Sequence, residues 1–241
     1  MRTITSLAIL VAALCSTRVA SAQVFHVTPV EKASSSRAFL GIEGEYGQPH
    51  GEFADFVGHS WGVGGSFLYA LDHAGLIGLR VDVSYLRYGH ERQTVPLSPT
   101  IGGRILVDVT TDNNILLAGV GPQLLFPRGP VMPYLTGTVG LASFFTQSSV
   151  QGSDTQQPFA STTNYRDNSF AWSGAGGLYI ALKKGAKPIA LDLGARYQAN
   201  GNVRYLRQGS IIDNPDGTIS FTPTRSQANM IIYHVGVTFG L

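Results

Sequence analysis

The chain has 241 residues, of which 44% are hydrophobic, 13% charged and 29 are glycine, enough for one large domain or two small ones. Such a balance is too apolar and aromatic for a disordered chain, and it lacks the basic excess of a nucleic-acid binder. The formal net charge is +2, and Arg2 and Arg18 in the first 22 residues account for it, so charge selects no partner for the remainder.

Taken in chain order, the first element is a leader. Met1-Arg2 opens it, the apolar stretch SLAILVAALC (6–15) follows, and Ala20-Ser21-Ala22 supplies a small-residue cleavage site. These features predict a signal peptide over 1–22, removed before Gln23. Cys15 is the only cysteine, and Leu14 before it is not the small residue a lipidation site needs. The exported part is therefore expected to form no disulfide and do no thiolate chemistry. Residues 23–36 read as a short polar periplasmic lead-in.

No later window has the apolar run that a membrane helix requires. Period-two alternation takes its place. In FLGIEGEY (39–46), Leu40, Ile42 and Tyr46 oppose Gly41, Glu43 and Glu45. In WGVGGSFLYAL (61–71), Trp61, Val63, Phe67, Tyr69 and Leu71 oppose Gly62, Gly64, Ser66 and Ala70. In LIGLRVDVSY (76–85), Ile77, Leu79, Val81, Val83 and Tyr85 oppose Gly78, Arg80, Asp82 and Ser84. WSGAGGLYIAL (172–182) is similarly glycine-rich, and no P-loop lysine or helix follows to make it a phosphate cradle. In IALDLGARY (189–197), Leu191, Leu193 and Tyr197 oppose Asp192, Gly194 and Arg196; IIYHVGVTFGL (231–241) closes the series.

Two environments suit such strands: a sandwich or lipocalin with its apolar face inward, or a membrane barrel with that face in lipid. The second face separates them. It is mostly Gly, Ala and Ser with a few charges of both signs, which fits the crowded lumen of an eight-stranded barrel. Strands are expected near 37–46, 59–71, 76–88, 113–126, 131–146, 169–182, 188–198 and 226–241. The connections alternate between tight turns (DHAG, PRGP, KKGAK) and long polar stretches around 47–58, 89–112, 147–168 and 199–225. This segregation is the pattern of short periplasmic turns and long extracellular loops. The expected fold is therefore all-β: an eight-stranded antiparallel up-and-down transmembrane β-barrel over 37–241. Tyr46, Trp61, Tyr85, Tyr88, Phe126, Phe144, Phe145, Phe170, Trp172 and Tyr197 lie near strand ends, where interfacial girdles would place them.

The end of the chain, HVGVTFGL (234–241), resembles the terminal signal of small bacterial outer-membrane β-barrels of the OmpA/OmpX type. That signal reads polar–x–Gly–x–x–aromatic–x–aromatic. His234 supplies the polar residue, Gly236 the glycine and Phe239 the first aromatic, while Leu241 stands where the family prefers an aromatic. The resemblance implies a bacterial outer-membrane location, outer-membrane lipid as the surroundings, and the barrel-assembly machinery and periplasmic chaperones as partners.

Some barrels of this size are lipid-modifying enzymes or proteases, and such chemistry needs a nucleophile with a base in reach. The histidines outside the leader are His26, His50, His59, His73, His90 and His234. His59 adjoins Ser60, but neighbours on a strand face opposite ways. No H-x-S and no HExxH motif occurs, and DNPDGT (213–218) lacks the acid spacing of a calcium loop. No catalytic, cofactor or metal residue is expected; Pro-Asp-Gly reads instead as a hairpin turn.

Glu43, Glu45, Arg80, Asp82, Asp192 and Arg196 all fall on the small-residue face. Isolated charges there would be costly, so an interior ion-pair network bridged by the two arginines is expected. The leading function is a structural or surface-interaction barrel acting through its long loops. A narrow-pore transporter is the alternative, and a lipid-modifying enzyme a third reading.

Overall fold

The computed structural model describes residues 36–97, 105–127, 129–152, 157–214 and 218–241. The leader and nearly all of the lead-in lie outside the described residues, as does the Pro215–Gly217 part of the DNPDGT stretch.

Eight long strands carry the fold: β1 (Ala38–Pro49), β2 (Ser60–Ala70), β3 (Ile77–Pro96), β4 (Leu106–Leu125), β5 (Val131–Gly152), β6 (Pro158–Lys183), β7 (Ile189–Asn200) and β12 (Met230–Gly240). Four short strands lie between the last two: β8 (Asn202–Tyr205), β9 (Ile211–Asp213), β10 (Ile219–Phe221) and β11 (Thr224–Gln227). The long strands pair antiparallel with their sequence neighbours, and β12 returns to pair with β1, from Phe39↔Gly240 to Pro49↔Met230. The sheet is thus a closed barrel, and no long strand is left as an edge along its wall.

Tight turns close one end. In the β2–β3 turn, the Ile77 amide donates to Asp72 Oδ1 at 2.8 Å, and that bond holds the Asp72 carboxyl below the usual carboxylate range. Gly75 there has φ 68° and Gly185 in the β6–β7 turn has φ 116°, both in the left-handed region that side chains avoid. The expected hairpin arms at 211–212 and 219–221 pair as β9 and β10, with Ile211 opposite Phe221.

At the other end the strands overrun the expected boundaries. The stretches 89–112 and 147–168, expected as loops, are largely paired: β3 and β4 stay paired to Pro96↔Leu106, and β5 and β6 to Gln151↔Pro158. The β4–β5 ladder joins these two ribbons as far as Val107↔Gly152. By contrast, β2 leaves the wall at Trp61↔Arg87 and β7 at Ala171↔Asn200. A four-stranded sheet therefore projects beyond the barrel; its β3–β4 ladder runs on from Gly89 to Pro96, roughly 25 Å at the strand rise. Its residues are mostly polar, and the few apolar ones, such as Val95, Val107, Val109 and Val150, do not sustain an alternation, so the stretches read as loop. Register shifts at Arg87/Gly89 and Thr146/Gln147 mark where wall becomes projection. On this sheet Asp108 accepts from Thr94 Oγ1 and Arg92 Nη2, both at 2.6 Å, and these bonds hold its carboxyl below the usual range.

The mouth beneath the projection is stoppered. Phe53, on a 3-10 turn (Gly51–Asp55) after β1, packs edge-on against Tyr205 of β8 at 5.1 Å and Phe144 of β5 at 6.1 Å. The Tyr88 hydroxyl donates to the Leu206 carbonyl at 2.9 Å. Leu86, Ile115, Leu117, Met230 and Ile232 complete this buried apolar cluster. Tyr88 and Phe144 are therefore plug residues and not members of an outer girdle, because both sit on the inward parity of their strands. Tyr46, Trp61, Tyr85, Phe126, Phe170, Trp172 and Tyr197 do face outward.

A ring of strands closed by eight ladders opens only when the whole sheet unzips. The folded chain should migrate differently on a cold detergent gel before and after boiling, and identical migration would contradict closure.

Candidate functional site

Below the plug, the lumen is built around two guanidinium groups. Arg80 of β3 donates from Nε to Asp82 Oδ1 at 2.6 Å and from Nη2 to Glu43 Oε1 at 3.0 Å. Its Nη1 donates to the Tyr179 hydroxyl at 2.9 Å and to Gln123 Oε1 at 3.1 Å, and lies 3.9 Å from Asp192 Oδ2. The Tyr134 ring stacks on Tyr179 at 4.6 Å, and Arg80 lies 5.7 Å from its centroid. Two residues along β1 toward the plug, Arg196 Nη2 donates to Glu45 Oε1 at 3.1 Å and to Ser84 Oγ at 2.9 Å; Ser84 in turn donates to Glu45 at 2.8 Å. All six charged residues singled out from the sequence are buried and face the lumen.

The sequence reading missed Gln123, Tyr134 and Tyr179, and placed His234 only in the terminal signal. Tyr134 donates to Asp192 Oδ1 at 2.9 Å, and its hydroxyl lies 2.9 Å from His234 Nε2. A signal for the tyrosines existed: Tyr179 is the one bulky residue on a parity otherwise held by Ala171, Ser173, Ala175 and Gly177. These large groups fit because glycine faces them. A Cβ on Gly177 would meet the Tyr134 hydroxyl at 2.5 Å, and one on Gly194 would meet His234 Nε2 at 2.6 Å.

Of the other histidines in the described residues, His73 lies in the tight β2–β3 turn, whereas His50, His59 and His90 lie toward the mouth. His59 Nδ1 lies 2.6 Å from the Tyr46 hydroxyl, whereas Ser60 points inward and donates to the Gly47 carbonyl at 3.2 Å. His90 pairs with Asp112 at 2.7 Å on the exposed part of β3 and β4. Of the terminal-signal residues, His234 and Gly236 face inward, while Phe239 and Leu241 face outward.

The outside of the wall is the reverse of the inside. Leu79 is 44% exposed and Val81 39%, yet Arg80 between them is 4% exposed and Asp82 beyond them 6%. Ile42, Val63, Val83, Val120, Leu135, Val139, Leu141 and Val235 continue this bare apolar surface around the ring. Water would not tolerate such a band on a monomer, whereas hydrocarbon requires it. The chain is a membrane-spanning β-barrel. Closed antiparallel barrels with an apolar outer band, polar interior and one short-turned end are of the outer-membrane type, which places the short turns in the periplasm and the projecting sheet outside. Around the outer rim of this barrel, Tyr46 packs on Trp61 at 4.6 Å and Trp172 on Tyr197 at 6.0 Å, as interfacial aromatics do.

No family model and no curated protein matches the chain. Among solved structures it is similar to Neisserial surface protein A, with 13% identity over 86% of this chain and 98% of that one, at a TM-score of 0.44. It is similar to Ail of Yersinia pestis at 11% identity (86% and 99% covered, TM-score 0.43) and to the outer membrane protein OprG of Pseudomonas aeruginosa at 11% (86% and 98% covered, TM-score 0.48). Likeness at that level is too slight to bear on function, and the assignment of the barrel rests on its own two faces.

Arg80 is the only cation within 4 Å of Asp82 among the described residues, and it also holds Glu43. Truncation to Met should cost about 3–5 kcal/mol by stranding buried carboxylates. Adding Asp82→Asn to that variant should recover about 1 kcal/mol or more. Urea titration of the folded fraction reads both, and equal losses in the single and double variants would reject a coupled network.

Proposed function

We propose that the protein is a non-enzymatic barrel of the bacterial outer membrane that acts through its projecting sheet and the neighbouring mouth segments. The observation that carries this reading is the division of the molecule at the rim. Inside, charges are paired with one another and an apolar plug sits across the mouth. Outside, two paired ribbons hold an ordered sheet above the membrane, where loops and their extensions usually make contacts. Leu97, Ile105 and Leu106 near the tip of one ribbon, Phe159 on the other, and Ile212, Ile219 and Phe221 on the β9–β10 hairpin are all exposed. Apolar side chains clustered at a polar tip are suited to binding another surface.

A narrow pore fits less well, since eight strands leave room only for side chains and here aromatic rings cap them. Enzymatic chemistry lacks support in the nearest histidine–hydroxyl pair, because His59 meets a tyrosine at the rim while Ser60 points away from it. The terminal strand, with His234, Gly236, Phe239 and Leu241, is proposed to be read by the barrel-assembly machinery after delivery by periplasmic chaperones.

Two measurements test this reading. Purified barrel in planar bilayers should give no steady single-channel openings, and reproducible openings would favour transport instead. Replacing residues 92–110 by a two-residue Asn-Gly turn joins Glu91 to Thr111, which are directly opposed. That variant should still shift on heating, but cells displaying it should lose attachment to immobilised matrix proteins and glycans. Attachment equal to that of the intact barrel would overturn a role for this ribbon.

A further inference from the structure

We propose that Glu43, Asp192 and His234 form a binding site for a divalent transition metal of the zinc type, placed across the seam where the barrel closes. The three side chains come from β1, β7 and β12, which are adjacent in the wall. Register sets them side by side: Glu43 opposes Gly236, Gly236 opposes Asp192, and His234 lies two residues along β12 on the same face. His234 Nε2 is 3.5 Å from Asp192 Oδ1 and 3.8 Å from Glu43 Oε2, and one donor atom from each residue lies within 4.8 Å of the others. A tetrahedral ion at the usual bond lengths separates its ligand atoms by about 3.3–3.5 Å. His234 already stands within about half an ångström of that spacing from each carboxylate, and the two carboxylates, which face the same imidazole, would close on the ion as it binds.

Glycine provides the clearance. A Cβ on Gly236 would come within 3.0 Å of Glu43 Cβ, and one on Gly194 would lie 2.6 Å from His234 Nε2. A larger residue at 194 would displace the His234 ring, and one at 236 would press on the β1 backbone that carries Glu43. Sequence spacing gives no hint of the site, because its donors lie far apart in the chain and meet only through closure.

Two further observations point to a cation. First, Asp192 is 1% exposed and its Oδ2 has no hydrogen-bond partner, with Arg80 Nη1 no closer than 3.9 Å. Second, among the described residues the four lumen carboxyl groups of Glu43, Glu45, Asp82 and Asp192 share just two guanidinium groups, Arg80 and Arg196, so acidic groups outnumber the cations that face them. Arg80 occupies Glu43 Oε1 and leaves Oε2 turned toward His234. Tyr134 orients the Asp192 carboxylate by donating to Oδ1, and a bound ion would replace its contact with His234 Nε2. One imidazole with two carboxylates suits zinc and its neighbours; calcium and magnesium favour a larger all-oxygen set.

The full chain, extracted in detergent and stripped with a chelator, is titrated with zinc alone, and with magnesium or calcium in parallel. The expected result is one tightly held zinc per barrel, a higher unfolding temperature on adding zinc, and no such rise with magnesium or calcium. Asp192→Asn and Glu43→Gln keep the shape of the side chains and should each weaken zinc binding at least about tenfold. They also serve if His234→Gln, in the terminal strand, fails to assemble. His90→Ala, which removes the exposed His90–Asp112 pair, should bind as the unaltered chain does. An unaltered chain that holds no zinc, or D192N and E43Q variants that hold it equally well, would overturn the site.

Discussion

Pairing of the last strand with the first is the constraint on which everything else in this molecule depends. Backbone amides and carbonyls in hydrocarbon have no water to satisfy them, so an open sheet edge is not tolerated there. The bonds that close the ring run along the whole of β1, with the Leu241 amide on the Ala38 carbonyl at one end and the His50 amide on Asn229 at the other. Closure then fixes which residues share the lumen. Glu43 meets Arg80, thirty-seven positions later, and Arg196 meets Glu45, because the ring brings β1, β3 and β7 around a common axis.

A ring this narrow also dictates its filling. Eight strands leave a lumen the width of side chains, and the chain answers with size complementarity: Tyr134 leans over Gly177, and His234 over Gly194. Charges can enter only as partnered sets. Arg80 is the clearest case, using its three nitrogens on two carboxylates, a tyrosine and a glutamine. Toward the mouth the logic changes from ionic to apolar. Phe53 and Tyr205 come from connecting segments rather than the wall, and they bury rings against Phe144 and Tyr88. The interior therefore has two layers: ion pairs at membrane depth and a plug at the rim.

Much of this was legible without coordinates, for a physical reason. Side chains alternate across a strand, so the outward Leu79 and Val81 and the inward Arg80 and Asp82 are declared by parity alone. Where polar residues predominate on both sides of a strand, parity has little to report, and the projecting parts of β3 to β6 read as loops. Tyr88 and Phe144 misled in a different way. Their position near strand ends suggested a girdle, but the inward parity they share with Leu86 and Ala142 was the better guide.

Sequence by itself determined the two faces of the wall, the number of long strands, and the end at which the turns are tight, since each is set by residues within a few positions of one another. Tertiary structure decided the rest. Which acid meets which arginine, the plug contributed by Phe53 and Tyr205, the joined ribbons above the rim, and the meeting of Glu43, Asp192 and His234 all depend on register around a closed ring. Register is a relation between distant segments, and no local pattern of residues encodes it.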